Sequence, residues 1–196
     1  MEKINFIKTF IPQGDFREKY EHGGMMVRHL AAVLDEKMGA YECYECTVPI
    51  GEYDEGEIQK AFVEFSAKMD ALKLKQAKAD KIAEITAYDT SSSVNGFMLN
   101  GLLVWLDKAT RVGLMNSTTI AKAAGQKTTT LWLGGLKLVV DCDKAIQLLS
   151  ALEMYALECF NVTASHKAAV GELKTIEEVK VYDYKKDYPK MLEMSV

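Results

Sequence analysis

The strongest constraint on the fold is a stretch without glycine or proline that runs from Glu57 to about Tyr88, in a chain of 196 residues. Apolar side chains recur in it at alternating steps of four and three residues: Ile58, Phe62, Phe65, Met69 and Leu72. This heptad stripe predicts a helix over residues 54 to 88, roughly 50 Å long. Because a small domain is narrower than that, we expect the helix to project from its domain or to break near "KQAKADK".

The heptad seam leaves two arrangements open, because a single helix cannot bury such a seam unaided. The seam either folds back onto its own chain or meets copies of itself in a parallel bundle. Two heptads make only a short coiled coil, so association would need a second apolar surface as well. We predict a homo-oligomer, with Phe62, Phe65 and Met69 in the contact.

Ahead of the helix, residues 25 to 48 contain two β-rich runs on either side of the turn-like "DEKMG". After an irregular start, these runs predict a β-hairpin that ends at Pro49 and Gly51. A short helix over residues 27 to 34 stays open as an alternative, since alanine and leucine favour that state and the alternation there is poor.

The segment "YECYECTV" spaces Cys43 and Cys46 as C-x-x-C, which is typical of zinc or thiol redox sites. Successive side chains alternate in a β-strand, so two residues three apart point to opposite faces. The chain also has no second Cys or His pair at a matching distance. We interpret both cysteines as structural, and we expect no metal site, no cofactor and no catalytic residue.

The run "DTSSSVN", residues 89 to 95, consists of turn and cap formers and predicts a domain boundary. We assign residues 1–89 to an N-terminal hairpin with the long, partly heptad helix. Residues 90–196 form the second domain, which we predict to be α+β.

The second domain contains two hairpin signals, Asn100-Gly101 and Gly134-Gly135, each followed by an aspartate and a helical pattern. Asp107 suits a helix N-cap, and Thr175 with Glu178 forms a capping-box word. The simplest assembly is a four-stranded, mainly antiparallel sheet with helices against one face, which is an α+β fold.

The helix that begins at "DCDKAIQLL" is apolar around most of its circumference, so we expect it to be buried on more than one side. His166, on the predicted continuation of this helix, is interpreted as a surface or capping residue. Both hairpins also carry apolar residues on both faces. One face packs against the helices, so the other must be covered by the N-terminal half, a partner or a second copy.

These features define one candidate interaction surface rather than a catalytic site. It combines the helix seam with the second sheet face: Phe62, Phe65, Met69, Met98, Leu103, Trp105 and Trp132. We expect protein partners at this surface.

Charge and hydropathy argue against two other partner classes. Net charge is −4, and the sequence shows no lysine or arginine cluster of the kind that replaces phosphate counterions, so nucleic acid is not expected. No stretch reaches the roughly 20 apolar residues that a bilayer requires, so no membrane contact is expected. The opening "MEKINFIKTFIPQG" lacks an apolar run of signal-peptide length and predicts an intracellular protein.

The second half of the chain contains "AYDTSSSVNGFMLNGLLVWLDKATRVGLMNS", "TTTLWLGG" and "LLSALEMYAL", followed by "HKAAVGELKTIEEVKVYDYKKDYP". Through these segments, residues 80 to 192 resemble an uncharacterised domain family of phage and prophage proteins. The shared order is hairpin, W-L-D-K-A-x-R, hairpin, long apolar helix and T-x-E-E-V. Such domains often lie at the C-terminus of tail-fibre or tail-assembly-type chains, and the resemblance carries over no catalytic residue.

The resemblance implies a non-enzymatic phage or prophage structural or assembly protein, associated with the tail and acting through protein–protein contacts. Its implied location is the bacterial cytoplasm, with incorporation into a phage virion left open. The alternative is an intracellular bacterial enzyme or small-ligand-binding protein whose pocket lies between the sheet and the N-terminal half.

Overall fold

The computed structural model describes residues 4–11, 16–19, 24–35 and 40–196. The chain forms two compact units, residues 1–75 and 76–196, and the division falls inside the long helix. The boundary that we predicted from "DTSSSVN" lies at the C-terminal end of that helix, and it stays a prediction.

The first unit contains a four-stranded antiparallel sheet in the order β1-β4-β3-β2. Its strands are β1 (Ile7–Ile11), β2 (Phe16–Lys19), β3 (Gly24–Asp35) and β4 (Ala40–Pro49). The predicted hairpin of β3 and β4 is confirmed, and the alternative helix over residues 27 to 34 is wrong because β3 pairs with β4 along that stretch. The irregular start is also wrong, since it contains two strands. Residues 36–39, within the predicted turn, lie outside the described residues.

Helix α1 (Glu55–Asp89) confirms the helix predicted over residues 54 to 88. Its start is a reciprocal cap, in which Glu57 N donates to Asp54 Oδ1 at 2.8 Å and Asp54 N donates to Glu57 Oε2 at 2.9 Å. The helix does not break at "KQAKADK", where alanine and lysine both favour helix.

The first half of the heptad seam packs against the sheet of its own unit. Ile58 is buried there, and Phe62, Phe65 and Met69 are half-buried beside it. The ring centroid of Phe65 lies 5.0 Å from that of Tyr44 on β4, in an edge-to-face arrangement that is favourable for aromatic pairs. Of the two arrangements predicted for the seam, folding back onto its own chain is therefore the one observed.

A buried carboxylate also ties α1 to this sheet. The side chain of Glu42 on β4 is only 5% exposed, and it accepts ion-pair contacts from Lys8 at 2.6 Å and from Lys73 at 2.7 Å. Burial raises the pKa of the Glu42 carboxyl, but hydrogen bonds from Lys73 and Lys8 outweigh burial and hold that pKa below its usual range. The carboxylate thus stays charged and bridges strand β1 to helix α1.

The second unit contains two small sheets packed against helices. Its remaining elements are α2 (Ser92–Asn95), β5 (Gly96–Leu99), β6 (Leu102–Trp105), α3 (Lys108–Ala123), β7 (Thr128–Leu133), β8 (Leu136–Asp141), α4 (Cys142–Glu172), α5 (Ile176–Val181) and β9 (Leu192–Met194). The predicted α+β class is confirmed. The single four-stranded sheet is wrong, because the free edge of β5 pairs in parallel with β9, while β7 and β8 form a sheet of their own.

The hairpin turns and caps of this unit follow the sequence signals. Asn100 and Gly101 have φ values of 50° and 81°, as a type I′ turn requires, and Leu99 pairs with Leu102 across this turn. Asp107 caps α3, and Thr175 with Glu178 forms the capping box of α5. The inward faces of both hairpins meet α3 and α4 in one core: Phe97, Leu99, Val104, Leu106, Leu131, Leu133, Val140, Ala145, Leu148, Leu149 and Leu152.

We expected helix α4 to be buried on more than one side, but its buried residues recur at helical spacing and lie along one face. Met154, Leu157 and Phe160 are 60%, 50% and 58% exposed, respectively. The buried stripe continues to Val170, so these three side chains are exposed because they lie away from that stripe on the helix surface. Among the described residues, no helix is both long and apolar enough to cross a membrane.

His166 on α4 is buried, so its interpretation as a surface or capping residue is wrong. Its Nε2 lies 3.0 Å from the carbonyl oxygen of Lys186, and its Nδ1 lies 2.9 Å from the hydroxyl of Tyr182. A carbonyl can only accept, so Nε2 carries a proton and donates, while in the neutral ring Nδ1 accepts from Tyr182. The imidazole thereby holds the segment after α5 against α4.

Candidate binding cleft

A cleft of about 550 Å³ opens in the second unit, between the end of α1, the β6–α3 junction and the middle of α4. Its lining residues are Asp89, Thr90, Asn95, Trp105, Leu106, Asp107, Lys108, Arg111, Glu153, Ala156, Leu157 and Phe160. This volume lies within the range of about 300 to 1,000 Å³ that is typical of ligand sites. We call it the Arg111 cleft.

The apolar wall of the Arg111 cleft comes from one strand and one helix face. Val104 points into the core, so Trp105, the next residue of β6, points the opposite way and is 39% exposed. On α4, Glu153, Leu157 and Phe160 recur at helical spacing and therefore share a face. On this wall, large apolar side chains are thus left open to solvent beside the carboxylate of Glu153.

Arg111 is the most buried charged residue of the cleft, with 9% of its surface exposed. It begins the stripe of α3 that continues with Leu114, Met115 and Thr118 and faces α4, which explains why the helix carries it inward. Its Nε donates to Glu153 Oε1 at 2.8 Å, and its Nη1 donates to the carbonyl oxygen of Leu106 at 2.8 Å.

The third guanidinium nitrogen of Arg111, Nη2, differs from the other two in its hydrogen bonding. Nη2 makes no hydrogen bond to any residue that the structure describes. Nor is it one of the fully buried unpaired atoms, which among the described residues are Thr9 Oγ1 and Thr118 Oγ1. The guanidinium therefore keeps N–H donors that can serve a molecule in the cleft.

The carboxylates of the cleft are already engaged within the chain. Asp107 accepts from the backbone N–H of Thr110 at 2.8 Å and from its hydroxyl at 2.7 Å. The Thr110 hydroxyl and backbone N–H hold the pKa of Asp107 below its usual range. Asp89 Oδ1 accepts from Thr163 Oγ1 at 2.7 Å, and the Thr163 oxygen in turn lies 2.9 Å from the hydroxyl of Tyr188. These bonds fix the acidic groups at the rim.

A layer of buried hydrogen bonds supports the cleft from behind. The Tyr155 hydroxyl on α4 donates to the carbonyl oxygen of Val94 at 2.8 Å, and Cys159 Sγ contacts the same oxygen at 3.4 Å. Burial raises the pKa of Tyr155 to about 12, so the phenol stays protonated and keeps donating. These contacts tie α4 to the segment of α2 that contains Val94.

The C-x-x-C motif lies in the first unit and forms no part of this cleft. Strand β4 contains both Cys43 and Cys46, as predicted, and both side chains are buried. Burial raises the pKa of Cys46 to about 11, which keeps the thiol protonated and makes it a poor nucleophile at neutral pH. Among the described residues, no group of three or more His, Cys, Asp or Glu is placed to hold a metal ion.

A family model for a domain of unknown function, DUF4376, matches residues 76–186. The chain belongs to the DUF4376 family. The DUF4376 match begins at the same residue as the second unit, and it contains every residue that lines the Arg111 cleft. The expectation of an uncharacterised domain family over this part of the chain is thus confirmed. No curated protein and no solved structure matches the chain.

The seven residues of the predicted interaction surface fall into three groups. Phe62, Phe65 and Met69 pack on the sheet of the first unit, whereas Met98, Leu103 and Trp105 lie on the β5–β6 hairpin of the DUF4376 domain. Trp132 is 59% exposed on the separate β7–β8 hairpin, with Lys137 Nζ 5.9 Å from its ring centroid. Of the seven, Trp105 alone lines the cleft. Their role in binding stays a prediction.

Sequence reasoning missed Arg111, Glu153 and Phe160 as site residues. Two signals point to them in retrospect. Arg111 occupies the first position of the apolar stripe of α3, where a charge needs a partner. Phe160 is one of the apolar residues that surround α4, and more of these are present than a single buried face of the helix can hold.

Proposed function

We propose that this chain is a non-enzymatic phage or prophage structural or assembly protein, associated with the tail, that acts through protein–protein contacts. The phage setting rests on the resemblance stated above. The contact function rests on the Arg111 cleft and on the apolar residues exposed around it. The proposed location is the bacterial cytoplasm or a phage virion, and the proposal includes no cofactor, nucleic acid or membrane partner.

The single observation that carries the contact function is the exposed apolar surface of the DUF4376 domain. Trp105, Leu157 and Phe160 at the cleft and Trp132 and Val139 on the β7–β8 hairpin are all between 39% and 68% exposed. Aromatic side chains with this exposure are typical of protein interfaces, because burying them against a partner removes apolar surface from water.

Self-association belongs to the same proposal. Because the heptad seam is occupied by its own sheet, a homo-oligomer would use the exposed hairpin faces instead. Trp132 and Val139 lie on neighbouring strands of one such face, which a second copy could cover by two-fold symmetry.

A small-ligand-binding protein is the second candidate, and the cleft volume favours it. The site would then lie within the DUF4376 domain, where the cleft is, rather than between a sheet and the N-terminal half.

Particle composition and titre test the first candidate. Particles purified from the strain that encodes this chain are analysed by quantitative mass spectrometry, and the gene is deleted and then restored. A structural role predicts the chain in purified particles, and an assembly role predicts its absence there with a titre loss of about tenfold or more. Absence from particles together with an unchanged titre would rule out both roles.

A further inference from the structure

We propose that the Arg111 cleft binds a neutral polypeptide segment, which inserts one apolar side chain and places a main-chain carbonyl against Arg111 Nη2. This inference rests on the proposed contact function and names the chemistry of its partner. It rests on three independent properties of the cleft, namely its apolar wall, the unpaired Nη2 donor of Arg111 and its charge.

The apolar wall provides room for a side chain. Trp105, Leu157 and Phe160 leave between 39% and 58% of their surface in water, and the cleft between them measures about 550 Å³. A leucine, methionine or phenylalanine side chain inserted here would cover these groups and be covered by them. Burial of apolar surface on both sides supplies the driving force.

The unpaired N–H donors of Arg111 Nη2 require a hydrogen-bond acceptor in the ligand. Arg111 is nine-tenths buried, and two of its three nitrogens are bonded to Glu153 and Leu106. A ligand that covers Nη2 without bonding it would strand N–H donors of a charged group, which is costly. The ligand therefore needs an oxygen acceptor beside its apolar part, as every residue of a polypeptide has.

The charge of the cleft favours a neutral ligand. Three lining carboxylates, of Asp89, Asp107 and Glu153, face two cations, Lys108 and Arg111, so the lining carries a net charge of 2 − 3 = −1. Beside Arg111, a free carboxylate would be repelled by the carboxylate of Glu153, and an ammonium group would be repelled by the Arg111 guanidinium itself. A main-chain carbonyl bonds the same donor without either penalty.

Small amide probes test the three properties separately on the full chain. N-acetyl-L-phenylalanine amide is the neutral probe, N-acetyl-L-phenylalanine the anionic one and L-phenylalanine amide the cationic one. N-acetylglycine amide lacks the side chain. The reporter is the indole N–H signal of Trp105 in a ¹⁵N-labelled sample. The other of the two tryptophans, Trp132, lies outside the cleft and serves as the internal control.

The neutral probe is expected to shift the Trp105 signal saturably, with a dissociation constant of about a millimolar for a ligand of this size. The Trp132 signal should stay in place. The glycine probe should bind about tenfold more weakly, and both charged probes about threefold more weakly or worse.

Two variants check that Arg111 and the wall are responsible. Arg111→Lys keeps a positive charge beside Glu153 but loses Nη2, and it should weaken the neutral probe by about tenfold. Phe160→Ser removes an exposed side chain, so the fold should survive, and it should weaken the probe by about fivefold. Ile120→Ser is the matched control, because Ile120 is 69% exposed and lies outside the cleft lining.

Equal shifts at both indoles, or no shift at Trp105, would overturn the inference. Tighter binding of the anionic probe would also overturn it and identify a carboxylate site instead. The probe experiment and the particle experiment can fail independently of each other. A chain found in particles that binds no probe refutes only the cleft chemistry, whereas probe binding with no particle or titre effect refutes only the phage role.

Discussion

The guanidinium of Arg111 on α3 donates from Nε to the carboxylate of Glu153 on α4 across 2.8 Å, and both residues line the Arg111 cleft. The two side chains differ in burial, since that of Arg111 is 10% exposed and that of Glu153 is 36% exposed. Losing the carboxylate would therefore leave a mostly buried cation without its partner.

Replacing Glu153 with leucine should destabilise the DUF4376 domain by about 2 to 4 kcal/mol, because an uncompensated buried charge is expensive. Both tryptophans lie in this domain, so the midpoint of urea unfolding followed by tryptophan fluorescence reports its stability. Glu158→Leu, at an exposed site on the same helix, is the control and should change stability by about 0.5 kcal/mol or less. Equal effects of the two variants would contradict the role given to the pair.

Replacing Thr118 with valine should stabilise the same domain by about 1 kcal/mol. Thr118 on α3 is fully buried, and its hydroxyl has no partner among the described residues. Valine keeps the shape and removes an unsatisfied polar group, whose burial is costly. The control is Thr119→Val at an exposed site, which should have little effect in the same urea experiment. A loss of stability in Thr118→Val would show that the hydroxyl is bonded.

The ion pairs of Glu42 predict a stability of the first unit that depends on pH. The folded-state pKa of Glu42 lies below its unfolded value of about 4.3, so the contribution is complete above that value and is lost as pH falls through the folded pKa. Glu42→Gln should cost about 1 to 3 kcal/mol at pH 7 and progressively less in acid. Hydrogen exchange of the β4 amides, compared between wild type and variant at each pH, measures this. A difference that persists unchanged to pH 2 would contradict the assignment.

Replacing Phe65 with glutamate should unfold the first unit rather than dissociate an oligomer. The Phe65 ring lies 5.9 Å from that of Phe6 and 5.0 Å from that of Tyr44, so a charge there would be buried among aromatic rings. Val63→Glu, at a site 54% exposed on the same helix, is the control. Circular dichroism should lose strand signal in Phe65→Glu alone. Light scattering that instead shows a folded Phe65→Glu chain of lower mass than wild type would restore the seam as an oligomer contact.

The parts of the fold that depend on local chemistry could be predicted from the sequence. The turn at Asn100-Gly101, the cap at Asp107 and the capping box at Thr175 each need only a few neighbouring residues of the right type. The long helix follows in the same way from its apolar repeat and the lack of helix breakers.

The parts that depend on pairing between distant residues could not be predicted. Strand β9 has three residues and no pattern of its own, and its place beside β5 comes from hydrogen bonds across almost a hundred positions. The cleft was missed for the same reason, since Arg111 and Glu153 lie on different helices and neither carries a motif. Trp105 was found because strand alternation is local.

The position of a bound neutral amide on the protein decides whether the Arg111 cleft is a binding site. Intermolecular nuclear Overhauser effects between the phenyl protons of N-acetyl-L-phenylalanine amide and the labelled chain measure this. We expect contacts to the Trp105 indole and the Phe160 ring and none to Trp132. Contacts to Trp132 of equal strength, or contacts confined to residues outside the cleft, would contradict this expectation.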